Sequence, residues 1–267
     1  MMGAYLEITA SPRCPNKCLF CPQELFEQRY PHTGYLSLDE FRTAIGKIPE
    51  QSTVVFAGFT EPCMNQDVPD MILEAAARGH QVMLLTTLVG LKLADYDRIR
   101  HINFAHFSVH IPDNQESMIL AQTRYYQGVL RYVSENPPNG VFLFNHHRGQ
   151  PREDVAQYAH GSFPLILHDR AGNLEGDLGA VKVYHHGNIQ CGHNFLFQRP
   201  HGGGMMLPNG DVYLCCSDFG LQHRLGNLLT DSWEELMNCQ EMKTVLSGLG
   251  RSESDILCRR CYLAKGG

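Results

Sequence analysis

Cys14, Cys18 and Cys21 fall within one short segment, Cys14-Pro-Asn-Lys-Cys18-Leu-Phe-Cys21, directly after the apolar run Tyr5-Leu-Glu-Ile-Thr-Ala. Spacings of three and then two intervening residues fit one tight loop, so the three thiolates can converge on one metal centre. Three ligands suit an iron–sulfur cluster that keeps one iron open to a substrate or cofactor. Zinc is the rival, but a closed structural zinc site takes four Cys or His ligands, and none of the other candidates lies in this loop. Unligated core cysteines are the bland alternative, and the tight spacing speaks against them.

A second group closes the chain. Met205-Met-Leu-Pro-Asn-Gly-Asp-Val-Tyr-Leu-Cys215-Cys216 reads as a β-hairpin with its turn at Asn209-Gly210. Cys258-Arg-Arg-Cys261 is a Cys-x2-Cys near the C-terminus. With Cys191 and Cys215 it supplies four thiolates, the number that fills a cluster or a zinc site. Cys216 competes with Cys215 as ligand, whereas Cys63 and Cys239 read as packing residues.

The elements that must position these residues alternate. Strand patterns fall at Tyr5–Ala10, Thr53–Gly58, Gln81–Thr87, Asn103–Val109, Val141–Asn145 and Pro164–His168. Most are rich in Val, Ile, Leu or Phe, as buried parallel strands are. Ser37-Leu-Asp-Glu40 reads as a capping box that opens a helix bearing Leu38, Phe41, Ile45 and Ile48, ended by Pro49. Asp67 caps a second helix with Pro69 in its first turn and Gly79 past its end. Leu91–Arg100, Glu116–Glu135 and Arg152–Ala159 supply three more. In the tail, Asp231 and Ser232 cap a helix containing Trp233, Leu236 and Met237. Six β-α units predict an α/β fold with a parallel sheet, best met by an open, partial TIM-type barrel whose functional groups sit at the strands' C-terminal ends. A doubly wound sheet gives much the same string. Gly176 to Asn188 carries little core pattern and reads as a linker.

Composition narrows the function classes. A chain of 267 residues, 43% hydrophobic and 19% charged, is long enough for a buried core with an appendage. A net charge of −6 offers no general attraction to nucleic acid or anionic membrane. The sequence holds no run of about 18 apolar residues and no signal-peptide pattern, which predicts a cytoplasmic protein. Ten cysteines in such a setting point to metal binding rather than disulfides.

The three-cysteine loop, with aromatic Phe20 before its last cysteine, resembles the signature of the radical S-adenosylmethionine (SAM) superfamily. That resemblance implies a partial (β/α)6 barrel over residues 1–175, with SAM and a [4Fe–4S] cluster as cofactors. Gly58-Phe-Thr-Glu61-Pro62 resembles the family's Gly-Gly-Glu-Pro segment, which binds the amino group of SAM. It implies a contact from Glu61 and close backbone approach at Gly58 and Thr60, although Phe59 replaces the second glycine. Thr86, Thr87 and Ser108, at the ends of strands three and four, resemble the family's ribose or carboxylate contacts. His110, where relatives often carry Asp, has no assigned role. Arg170, in Arg170-Ala-Gly-Asn, matches a region where an arginine of at least one relative contacts substrate. Residues 176–267 resemble the twitch domain, a shortened SPASM domain, on the hairpin ending Gly210-x4-Cys215 and the final Cys-x2-Cys. They imply a second [4Fe–4S] cluster on Cys191, Cys215, Cys258 and Cys261. The gap from Cys191 to Gly210 is longer than the commonest SPASM pattern, and the middle cysteine group of a full SPASM domain is missing.

In this family the cluster passes an electron into SAM, giving methionine and a 5′-deoxyadenosyl radical that takes a hydrogen atom from substrate. Three readings follow. The chain resembles twitch-type SAM-dependent alcohol dehydrogenases of aminoglycoside biosynthesis, which implies a small hydroxylated substrate, an aminocyclitol or sugar, oxidised to a ketone with the second cluster as electron acceptor. With few residues before Cys14, no fused peptide-recognition domain is expected, yet a peptide maturase that recruits its substrate through a partner stays open. A non-enzymatic sensor with two metal sites is the third. The expected partners are the substrate and a low-potential electron donor such as flavodoxin or ferredoxin, with neither nucleic acid nor membrane. No general base stands out, because His146, His147, His168 and Arg170 all lie near strand ends, where most histidines pack or cap.

Overall fold

Tyr5–Ile8 (β1) is buried along its whole length and lies inside a nine-stranded sheet. The computed structural model describes residues 3–120, 124–176, 179–192 and 202–267. From β1 the sheet runs in chain order through Thr53–Phe56 (β2), Gln81–Thr86 (β3), Phe104–His110 (β4), Gly140–His146 (β5) and Phe163–Pro164 (β6). Every neighbouring pair is parallel. A doubly wound sheet reverses its order at a switch point. Through these six strands the order never reverses, and the chain returns to the other side of β1 only with the tail, so the winding is that of a partial (β/α)6 barrel.

Strand alternation decides what faces the barrel interior. Leu6, Ile8, Val54, Phe56, Val82, Leu84, Phe107 and Val109 join the main core. Their neighbours Tyr5, Val55, Ala57, Met83 and Leu85 form a separate cluster with Cys215 and Cys216. Two faces of one sheet thus carry different sets, as a period of two requires. The main core is filled by Leu38–Ile45 (α2), Val68–Ala77 (α3), Leu93–Ile99 (α4), Arg124–Glu135 (α5) and Glu153–Ala156 (α6), each following a strand or the cysteine loop. The Ser37–Glu40 capping box forms on α2.

Several expectations need correction. A helix at Gln23–Arg29 (α1) directly after Cys21 was not legible. The helix expected from Glu116 starts later: Met118–Ile119 pairs with Lys17–Cys18, residues 121–123 lie outside the described residues, and α5 opens at Arg124. The cause is Asp113, whose carboxylate accepts from Gln115 N and Ser117 N and so winds 113–117 into a turn. Asp67 does not cap α3; its own N–H donates to Asn65 Oδ1 at 2.9 Å. The sixth strand is only Phe163–Pro164, although His168 bridges Val181 further on.

The tail is stitched to the barrel. Gly203–Met206 (β7) pairs in parallel with β1, and Asp211–Tyr213 (β8) and Arg224–Asn227 (β9) extend the sheet antiparallel. The hairpin turns through Leu207–Gly210, closed by Gly210 N–H to Leu207 O at 2.9 Å with Gly210 at φ +83°, which favours glycine there. Ser232 caps Trp233–Met237 (α7) with Glu235, whereas Asp231 accepts from Asn227 N. Gln240–Gly248 (α8) follows. Ala264–Gly266 then pairs with Ile189–Cys191, which sets Cys191 opposite Ala264, close to Cys261.

Candidate active site

The three-cysteine loop leaves the C-terminal end of β1. It is tied down by Leu19 N–H to Ser117 O at 2.9 Å, Cys21 N–H to Cys18 O at 3.0 Å and Asn16 Nδ2 to Thr87 Oγ1 at 3.0 Å. Cys14, Cys18 and Cys21 border one cleft with Gly58, Thr60, Glu61, Thr86, Thr87 and Arg170. Nine residues of the expected site therefore meet in one place. Ser108 does not border it; buried, it accepts from Asn145 Nδ2. Phe20 is buried against the His147 ring, centroids 3.7 Å apart. Burial pushes the Cys14 thiol up to about 11 and Cys21 to about 12, and Cys18 higher still with its cysteine neighbours adding to the shift. Metal binding here must displace protons from three thiols.

The loop after β2 is held from below. Gly58, at φ +86°, has no room for a side chain: a Cβ would stand 2.1 Å from Thr9 Oγ1. Phe59 N–H donates to that hydroxyl at 3.0 Å, and its ring packs between Phe26 and Phe219. The aromatic in place of a second glycine is thus a packing anchor. Glu61 is buried, and its Oε1 accepts from Cys63 N at 3.1 Å and Thr86 Oγ1 at 2.5 Å. Its Oε2 accepts from Thr87 N and Thr87 Oγ1, both at 2.7 Å. Four donors occupy the carboxylate, so Glu61 pins the end of β3 to the end of β2, and Thr86 and Thr87 point their hydroxyls at Glu61. Burial still raises its pKa, against these bonds.

In the tail, Cys191, Cys215, Cys216, Cys258 and Cys261 wall a separate void with Leu214, Leu257, Leu263 and Ala264. Burial raises the Cys215, Cys258 and Cys261 thiols, and neighbouring cysteines push them further. Among the described residues, no three Cys, His, Asp or Glu side chains stand as the ligands of a single ion would; both cysteine groups border cavities rather than meet at a point. The donor sets nevertheless suit clusters: three thiols at an open cleft leave one position free, and four at an apolar void leave none.

A model of the radical SAM superfamily matches residues 8–157. The chain belongs to the radical SAM superfamily. A SPASM model, described as an iron–sulfur cluster-binding domain, matches residues 201–262. The cofactors are therefore SAM, a [4Fe–4S] cluster and an auxiliary iron–sulfur cluster. The fold is similar to that of BtrN in complex with AdoMet and 2-DOIA, at 14% identity and a TM-score of 0.66, over 98% of this chain and 94% of that one. It is also similar to Streptococcus suis SuiB bound to precursor peptide SuiA, at 12% identity and 0.57, over 96% and 66%. A third likeness is to anSMEcpe with AdoMet and the Cp18Cys peptide, at 14% and 0.56, over 97% and 86%. No curated protein matches the sequence. Among the described residues no helix is long and apolar enough to cross a membrane.

The radical SAM cleft also holds Glu7, which sequence reasoning passed over, and residues it left without a role. Glu7, 6% exposed on β1, faces the interior between Tyr5 and Thr9 and borders the cleft. Its Oε1 accepts from Gly58 N at 3.1 Å, and the Cys216 thiol bonds the same carboxylate. Burial raises its pKa to about 7, and the Arg170 charge is the weakest influence on it. Within the Tyr5–Ala10 strand pattern Glu7 was given no role, although alternation places it with Tyr5 and Thr9 on the barrel face. His110 and His147 also border the cleft, with pKa values pushed down by burial to about 4 and about 2. Both His147 ring nitrogens lack hydrogen-bond partners among the described residues. Arg170 is delivered by an unusual turn: Arg170, Ala171 and Gly172 have φ of 52°, 56° and 81°. Left-handed backbone at the two non-glycine residues costs about 1–3 kcal/mol each, strain that clusters at functional sites. Asn173 Nδ2 braces the turn on Arg170 O and Ser217 O, both at 2.8 Å, linking it to the Cys215–Ser217 segment.

Proposed function

We propose that this radical SAM enzyme is a dehydrogenase of a small hydroxylated molecule, an aminocyclitol or sugar alcohol oxidised to a ketone, with the auxiliary cluster as a [4Fe–4S] electron acceptor on Cys191, Cys215, Cys258 and Cys261. The observation that carries the reading is Cys216. It borders both the cleft and the tail void, so the two cysteine sites share a wall. When bound, SAM and the two clusters supply the 5′-deoxyadenosyl radical that removes a hydrogen atom from the substrate carbon and the acceptor for the second electron.

The chain's own residues do the rest. Cys14, Cys18 and Cys21 hold the first cluster, and Phe20 and the backbone at Gly58 and Thr60 border the SAM position. Thr86 and Thr87 act through Glu61, which keeps that loop in place. Arg170 holds a substrate oxygen. Glu7 takes the hydroxyl proton on its carboxylate, since a pKa near the working pH suits a general base. The neutral His110 and His147 are too weakly basic for that task and remain hydrogen-bonding groups. Residues 1–175 form the catalytic barrel and 176–267 the cluster-binding tail, working in the cytoplasm with a low-potential donor such as flavodoxin or ferredoxin.

BtrN supports a small substrate, since its complex holds 2-DOIA and the chain covers nearly all of it. The peptide complexes of SuiB and anSMEcpe keep a peptide-modifying reaction as the second reading. The test is anaerobic incubation of the reconstituted protein with SAM, reductant and candidate polyols or peptides, followed by mass spectrometry. A loss of two mass units on a polyol is expected. That loss on a peptide instead, or product of unchanged mass, overturns the reading.

A further inference from the structure

Arg259 stands between the two closing cysteines, 1% exposed, and heads the fully buried side chains by volume. A buried guanidinium ordinarily sits against a carboxylate, because an unpaired charge in a protein interior is costly. Here every hydrogen-bond acceptor among the described residues is neutral. Nη1 donates to Gly187 O at 2.6 Å and His185 O at 3.3 Å. Nη2 donates to Gly248 O at 2.8 Å, Leu249 O at 3.0 Å and Arg251 O at 2.5 Å, and Nε to Ser254 Oγ at 3.2 Å. The fork is well used, and the carbonyls at the end of α8 add favourable partial charge. Hydrogen bonds to neutral oxygens solvate a cation without cancelling it. A full positive charge therefore stays inside the tail, on the residue that follows Cys258. Its field reaches the cysteines, for it is one of the influences that pull the Cys258 thiol down against burial.

The staple that joins these loops is thus permanently charged and meets no carboxylate in hydrogen-bond contact among the described residues. Neighbouring Arg260 shows the ordinary alternative: it is exposed and paired with Asp255 at 3.2 Å. What the tail void receives is negative. Four thiolates with a four-iron cluster carry net negative charge, and reduction adds one more electron. A fixed cation in a low-dielectric surrounding stabilises the reduced form more than the oxidised one.

We propose that Arg259 is the built-in counter-charge of the auxiliary cluster, a positioning residue that raises the cluster's reduction potential and so fits it to accept an electron. The inference concerns the tail alone and holds whichever substrate the cleft takes.

The test uses the full-length chain with Cys14, Cys18 and Cys21 replaced by Ala, reconstituted so that only the tail cluster contributes. Its midpoint potential is read by redox titration followed by electron paramagnetic resonance, with iron content as the loading control. Arg259→Met is expected to shift the midpoint to lower potential, and Arg259→Lys, which keeps the charge and loses the fork, to stay nearer the parent. Ser254→Asp keeps the arginine and sets a carboxylate at its Nε, so it is expected to lower the midpoint too. The neutral control Ser254→Asn is expected to leave it unchanged. Because Ser254 is half-buried and the arginine fork is retained, this pair reads the charge even where Arg259→Met fails to load iron. Equal potentials for Ser254→Asp and Ser254→Asn, or equal shifts for Arg259→Lys and Arg259→Met, would reduce Arg259 to a staple and overturn the proposal.

Discussion

Replacing Glu7 by Gln removes one charge and almost no volume, and the amide oxygen can still accept from Gly58 N, so the fold around the cleft is retained. The consequence is a change in how stability depends on pH. Burial raises the Glu7 pKa from its ordinary 4.5 to about 7. An acid raised on folding contributes stability that is complete below its unfolded value and is lost as pH climbs through its folded value. The whole contribution is about 3 kcal/mol, of which about 1.3 kcal/mol disappears between pH 6 and pH 8. Glu7→Gln removes this loss. Anaerobic urea denaturation of cluster-loaded wild type and variant, without SAM, is therefore expected to show the variant gaining on wild type by about 1.3 kcal/mol from pH 6 to pH 8. Effects of pH on every other group cancel in the difference. A difference that stays flat across this range would show that Glu7 titrates normally and would remove it as proton acceptor.

Three further outcomes are expected. Cys14→Ala, Cys18→Ala and Cys21→Ala should each abolish 5′-deoxyadenosine formation, measured by chromatography, because two thiolates cannot hold a cluster with one open iron; retained SAM cleavage in any of them refutes the loop assignment. Glu61→Gln can satisfy only one of the backbone N–H groups of Cys63 and Thr87, so it should cost about 1–3 kcal/mol in denaturation and weaken equilibrium SAM binding; wild-type values for both would mean the four-donor anchor is idle. Iron analysis of the reconstituted protein should approach about eight irons per chain, for two four-iron clusters, and zinc with about four irons would disprove a second cluster.

The barrel was readable because its strands are short and apolar and alternate with helical patterns, and the three cysteines because their spacing is tight. What periodicity left open was the winding, which the unbroken strand order decides. Sequence placed the hairpin at Asn209-Gly210 but not its partner: pairing of Gly203–Met206 with Tyr5–Ile8 joins residues nearly two hundred positions apart, and nothing local encodes it. Asp113 illustrates a different failure. Its carboxylate diverts the backbone of Gln115 and Ser117 from the helix that Glu116 onward promised, a choice made by one side chain against a favourable pattern. At the site, types were legible and contacts were not. Glu61, Thr86 and Thr87 were expected around SAM, yet they first satisfy one another; Glu7 carried no motif, and the Arg170-Ala-Gly-Asn segment was legible but its left-handed backbone was not.

The claim that the tail site takes the substrate's second electron is tested most directly by the ratio of ketone to 5′-deoxyadenosine in Cys258→Ala/Cys261→Ala, measured beside wild type under the same anaerobic conditions. With the first cluster intact, 5′-deoxyadenosine should still form. The account predicts that ketone falls away while it does. Ketone formed in wild-type proportion to 5′-deoxyadenosine would contradict it and leave the tail cluster a structural one.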